Sequence, residues 1–191
     1  MNGNELFEFN DKKLDYSLSD FWRFQYSNIY NLHGEIAEFI VAQALGITKA
    51  QNSAYWTLWD ISYRGIRVEV KATAYYHPWN NENNISKRRV FGITKANGSY
   101  DSKVSGNHEF CRQNDIYVFC LNNGITKETS YPLNLDNWEF YIVPTKFINK
   151  NCPNNKTISL GRIKNFGFRS LSYDQIKSEI DCIIDTNWSL K

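Results

Sequence analysis

The stretch Trp59-Asp60-Ile61-Ser62-Tyr63-Arg64-Gly65-Ile66-Arg67-Val68-Glu69-Val70-Lys71-Ala72 decides the fold. It reads as two strands joined by a tight turn at Arg64-Gly65. Successive side chains of a strand leave on opposite faces. Ile66, Val68, Val70 and Ala72 therefore share one face, and Arg67, Glu69, Lys71 and Thr73 the other. A two-residue turn predicts that Tyr63 pairs with Ile66, Ser62 with Arg67, Ile61 with Val68 and Asp60 with Glu69. Directly opposed carboxylates repel. At about 5 Å and an effective dielectric near 20 the repulsion is roughly 3 kcal/mol before screening. A divalent cation, helped by the neighbouring lysine, would offset it.

Working outward, the 191 residues suit one domain spanning 1–191, with residues 1–16 expected as a loosely ordered lead-in. Ser17 and Asp20 have the spacing of a capping box, opening a helix rich in aromatic residues: Phe21, Trp22, Phe24 and Tyr26. A second helix is predicted over 32–45 and stopped by Gly46. Its buried stripe is Ile36, Ala37, Ile40, Val41 and Ala44, with Glu38 at the edge of the stripe. The hairpin covers 55–63 and 66–75, and a third strand covers 88–95. Residues 115–121 are nearly continuously apolar, which suits a strand covered on both faces. A further strand covers 138–144. Ser172 and Gln175 form a second capping box before a helix carrying Ile176, Ile180, Ile183 and Ile184. The predicted fold is an α/β domain with a mixed central β-sheet flanked by helices.

Composition narrows the function classes. Hydrophobic residues make up 42% of the chain and aromatic residues 16%, ample for a core. The net charge of +2 is too small to argue for a polyanionic partner by itself. Cys111, Cys120, Cys152 and Cys182 form no metal-binding pair and read as thiols of a reducing compartment. Neither a signal peptide nor a membrane helix is expected, so the location expected is the cytoplasm. His33, His77 and His108 are scattered, which speaks against a zinc site.

Phosphodiester hydrolysis requires a deprotonated water, neutralised phosphoryl charge and a stabilised leaving oxygen. Magnesium held by hard oxygen ligands serves all three. A lysine on the same strand face adds a donor for the water or the phosphate. Asp60, eight intervening residues and then Glu69-Val70-Lys71 resemble the signature of the PD-(D/E)XK nuclease superfamily. Gly34-Glu35-Ile36-Ala37-Glu38 resembles its preceding helix glutamate, with Glu38 the better fit. The resemblance covers residues 18–75 best, and the strand order agrees as far as Val143. Trp59 stands where the motif's name has proline. His77 stands near the place where uncharacterised bacterial stand-alone members carry a glutamine.

The resemblance implies a restriction endonuclease-like core and a Mg²⁺-dependent DNA endonuclease, with Mn²⁺ able to substitute. It implies that Asp60, Glu69 and the Val70 carbonyl hold the metal. Lys71 would assist the water, and Glu38 would bind a metal-bound water or a second ion. It further suggests restriction or another defence against foreign DNA, a homodimer, and a methyltransferase or other defence partner. Lys87, Arg88, Arg89 and His77 are candidate contacts to nucleic acid, although such a basic run also reads as a solvated patch. Arg112 reads as either a structural ion pair or a DNA contact. Tyr75, Tyr76 and Trp79 read as core and loop anchors or as base-stacking platforms. Two plainer readings stand beside these. Glu69 and Lys71 form an ordinary surface pair, or the chain is a catalytically silent module that binds nucleic acid or a partner.

Overall fold

The computed structural model describes residues 2–47, 58–77, 89–96 and 110–186. Lys87, Arg88, Trp79 and His108 lie outside these residues, as do residues 55–57 of the expected first hairpin strand.

In place of a loose lead-in, the chain opens with a hairpin, β1 (Leu6–Phe9) and β2 (Lys12–Ser17). Its signal is Asn10-Asp11. Both residues take positive φ (50° and 61°), as a type I′ turn requires and as Asn and Asp tolerate better than most residues. Every residue of β1 is exposed, so no hydrophobic alternation marks the strand in the sequence. Helix α1 (Leu18–Gln25) starts at the expected capping box. The Ser17 side chain accepts from the Asp20 N–H, and the Asp20 carboxylate accepts from the Ser17 N–H at 2.8 Å. Helix α2 (His33–Ala44) buries Ala37, Ile40 and Val41, and Gly46 at φ 75° follows its end.

Strands β3 (Ile61–Tyr63) and β4 (Ile66–Ala74) pair in the predicted register from Tyr63–Ile66 to Ile61–Val68. Arg64 (φ 47°) and Gly65 (φ 81°) make the type I′ turn between them. After β5 (Val90–Gly92) come β6 (Ile116–Asn122), β7 (Trp138–Pro144), α3 (Thr145–Asn151), β8 (Thr157–Ser159), α4 (Leu160–Asn165) and α5 (Ile176–Asp185). The central sheet has the order β3-β4-β6-β7. Its pairings run antiparallel, parallel and antiparallel, so the fold is a mixed α/β domain. The third predicted strand shrinks to three residues of β5 and pairs with β8 outside this sheet. The elements α3, β8 and α4 are too short for periodicity to announce them.

All seven residues of β6 are buried, because both faces of the sheet are covered. On one face Val68, Val70, Val118 and Ile142 meet α2 and α5. On the other, Tyr117, Phe119, Tyr141 and Val143 meet side chains of β5, α3, β8 and α4. Glu69 and Lys71 register beside Tyr117 and Phe119 and so belong to this second face. The four cysteines are free thiols. Among the described residues no helix is long and apolar enough to cross a membrane.

The Arg64-Gly65 turn gives a stability prediction. A Cβ on Gly65 meets no atom within 4 Å, so its penalty is conformational alone. Gly65→Ala is expected to cost about 1–2 kcal/mol in denaturant unfolding. Gly92→Ala has equal space and no positive φ, and is expected to leave stability unchanged or slightly raised.

Candidate active site

The site is a notch made by unequal strand lengths. β3 has three residues and β4 has nine, so the pairing stops at Ile61–Val68 while β4 runs on. At that point the Asp60 N–H still donates to the Val68 carbonyl at 3.1 Å. Its carboxylate then turns back, and Oδ2 accepts the Val70 N–H at 2.7 Å. The expected strand pair between Asp60 and Glu69 is thus not formed. A short acidic side chain competes well for a local backbone donor and here ends the ladder. In an antiparallel pair, N–H and C=O of one residue point to the same edge. The Val70 carbonyl therefore opens into the notch that Asp60 occupies.

Glu69 and Lys71 stand two residues apart on the second face, and Lys71 Nζ lies 2.5 Å from Glu69 Oε1. The Glu69 side chain is 17% exposed and that of Lys71 36%. Helix α2 packs on Val68 and Val70 through Ala37, Ile40 and Val41, which leaves Glu38 at its solvent edge. Neighbouring protein nevertheless strips part of the hydration from Glu38. This burial, with Asp60, Glu35 and Glu69 adding and Lys71 opposing, raises its carboxyl to about 7.

Burial also raises the Asp60 carboxyl, opposed by the Val70 N–H and Lys71. Burial and then Asp60 raise the Glu69 carboxyl, with Lys71 again opposing. Burial works against the Lys71 charge, but Glu69, Asp60 and Glu38 outweigh it and raise its pKa. Three carboxylates and one ammonium from three elements therefore form one coupled set.

Among the described residues no group of three or more His, Cys, Asp or Glu side chains is gathered tightly enough to hold a metal ion. Lys71 engages Glu69, and the Val70 N–H engages Asp60. The donor chemistry itself fits a hard divalent cation: carboxylate oxygens raised by one another, and a carbonyl on the same edge. Holding it requires Glu69 to yield part of its contact with Lys71.

The other candidates are placed elsewhere. His77 lies edge-on to His33, with ring centroids 5.9 Å apart, and His33 is buried against Trp138. Burial lowers the pKa of both imidazoles, which favours the neutral rings. Tyr76 meets Tyr30 edge-on. Arg89 stacks over Tyr75, its guanidinium 3.4 Å from the ring centroid. Among the described residues Arg112 pairs with no carboxylate, and its side chain is buried. It is 5% exposed and donates to the carbonyls of Ile93, Cys152 and Asn155 and to Asn149 Oδ1.

The sequence reading missed the bidentate pair from Arg67 to Asp115, at 3.0 and 2.8 Å. Asp115 also accepts the Arg67 N–H at 2.9 Å. Strand alternation puts Arg67 on the Glu69 and Lys71 face, but its partner depends on β6 lying parallel to β4.

No protein-family model matches the chain, and no curated protein matches it.

The raised Glu38 carboxyl sets a pH dependence. A carboxyl with a higher pKa when folded binds protons more tightly in the native state. Stability is then lost as pH rises from the unfolded value near 4.5 through about 7. Glu38→Gln removes that loss. In EDTA the variant is expected to melt above wild type at pH 8, with the difference closing near pH 5. A difference that does not change with pH contradicts the coupling.

Proposed function

We propose that the protein is a metal-dependent nuclease that hydrolyses DNA phosphodiester bonds, with a restriction endonuclease-like core. The observation that carries this reading is the notch beside β4, where the Val70 N–H holds Asp60 and Lys71 lies 2.5 Å from Glu69, with Glu38 within electrostatic reach. An ordinary exposed strand gives no reason to bring three carboxylates from a helix, a strand end and a strand together at the cost of raising all three. The mixed sheet, with a helix before its hairpin, is also the order the resemblance implies.

Asp60, Glu69 and the Val70 carbonyl would hold Mg²⁺ or Mn²⁺, with Glu38 at the outer rim. Bound there, the cation would supply charge neutralisation at the scissile phosphate and acidify a water. Lys71 keeps its proton at neutral pH, because its acidic neighbours raise its pKa. It therefore acts as a donor rather than a base. Its ammonium orients the attacking water or a non-bridging phosphate oxygen and offsets negative charge as it builds. Asp60 is aimed by its bond to the Val70 N–H, so the strand backbone positions the carboxylate. A role in restriction or another defence against foreign DNA, a homodimer, and a methyltransferase or other defence partner rest on the resemblance alone.

The second reading is a silent binding module. The close Lys71–Glu69 contact and the lack of a ready ligand group among the described residues favour it. The two readings separate in one experiment. Under the first, plasmid DNA is nicked or cut in millimolar Mg²⁺ or Mn²⁺, and EDTA stops the reaction. Lys71→Ala or Asp60→Asn lowers the rate by about 100-fold or more. Equal cleavage by wild type and Lys71→Ala removes the site from the mechanism. Absence of both cleavage and Mn²⁺ binding by calorimetry, even with DNA present, favours the silent module.

A further inference from the structure

The charge of this chain is distributed unevenly. Between Glu139 and Asp174 there is no acidic residue, yet six basic ones occur: Lys146, Lys150, Lys156, Arg162, Lys164 and Arg169. The whole chain has 22 basic and 20 acidic residues, so outside this segment 16 basic face 20 acidic. The small net charge thus hides a strongly basic lobe on an otherwise acidic body.

This segment builds α3, β8 and α4, which cover the same sheet face that carries Glu69 and Lys71. Among the described residues, carboxylates reach only two of its cations. Glu139 stands 3.9 Å from Lys164 and Glu179 3.3 Å from Arg169.

Where the lobe meets β4 there is a cleft of about 600 Å³ lined by Tyr75, Arg89, Ser159, Gly161 and Arg162. Arg89 immediately precedes β5, which pairs with β8. Its guanidinium covers the Tyr75 ring, and its Nε is buried with no hydrogen-bond partner among the described residues. No carboxylate lies within ion-pair distance of Arg89 or Arg162 among the described residues. Arg162 is held in place, donating to the Asn151 carbonyl at 3.0 Å and stacking over Phe166.

A buried cationic donor without an acceptor is costly and rare. An anion in the cleft would balance the charge of the Arg89 and Arg162 guanidinium groups, which no carboxylate offsets among the described residues. Tyr75 offers no platform for a base, because Arg89 covers it and it packs against the second core cluster. Its N–H continues the β4 ladder to Asn122, and it lies four residues beyond Lys71 with the same alternation. That is roughly 13 Å along the strand.

We infer that the Tyr75–Arg89–Arg162 cleft, at the inner edge of this basic lobe, seats a backbone phosphate of the nucleic acid whose scissile phosphate lies at Lys71. The contact fixes register without reading sequence. The identity of the ligand rests on the nuclease reading, but the binding itself does not require cleavage.

The test is fluorescence anisotropy with a labelled DNA duplex in EDTA, between about 50 and 200 mM salt. Arg89→Gln combined with Arg162→Gln is expected to weaken binding about 10-fold and to flatten the log–log salt slope by about 1. Lys127→Gln, outside the lobe, is expected to change neither. If the double variant loses its circular-dichroism spectrum, Arg162→Gln alone carries the same test, since Arg162 lines the cleft and is only half-buried. Unchanged affinity and slope in folded variants overturns the cleft, as does an equal loss with Lys127→Gln. Wild-type cleavage that Asp60→Asn abolishes, together with unchanged binding by the cleft variants, overturns the cleft and leaves the nuclease reading intact. Salt-dependent binding through the cleft with no cleavage supports the cleft and removes the nuclease reading.

Discussion

The bond from the Val70 N–H to the Asp60 carboxylate is the constraint around which the site is arranged. It takes the hydrogen bond that the next residue of β3 would otherwise supply. The ladder therefore ends there and leaves β4 with an open edge. Through that opening α2, which packs on the opposite face, brings Glu38 within electrostatic reach of Glu69 and Lys71. A β3 longer by two residues would close the notch, pairing Asp60 with Glu69 on one face of a continuous sheet and leaving Glu38 on the other.

The sheet sets the second condition. Although β6 is buried on both faces, its neighbour β4 turns its apolar residues to α2 and its polar residues to the other face, at the margin of the second core cluster. Glu69 and Lys71 occupy such a margin, half covered by protein. Partial burial keeps their mutual field strong, as water screens charges poorly where it cannot surround them. The same face receives α3, β8 and α4, so the acidic notch and the basic lobe border one surface. That is the charge pattern a metal-assisted phosphodiesterase needs, with attraction for a polyanion and a localised cation site at the bond to be cut.

Much of this was legible in residues 59–72. The turn, its register through Ile61–Val68, and the shared face of Glu69 and Lys71 all follow from the period-2 rule and the Arg64-Gly65 dipeptide. The two capping boxes, at Ser17 and Ser172, mark the starts of their helical segments. The N-terminal hairpin was not legible, because it buries nothing and only Asn10-Asp11 signals it. Arg112 was ambiguous as a sequence feature, because an arginine before an apolar strand has the same appearance whether it ends in solvent or among carbonyl groups. The basic lobe was written in the sequence, as the acid-free run between Glu139 and Asp174, but the whole-chain charge conceals it.

Residue order is enough for the local terms: strand alternation, turn geometry, helix caps, and which side chains can meet within a few residues of one another. These depend on backbone stereochemistry and nearest neighbours. Long-range packing settles where β3 ends, that β6 runs parallel to β4 so that Asp115 meets Arg67, and that Arg89 and Arg162 line one cleft beside Tyr75. Each of these joins residues far apart in the chain. Such contacts are selected by burial of the whole sheet, not by any spacing that a local pattern records.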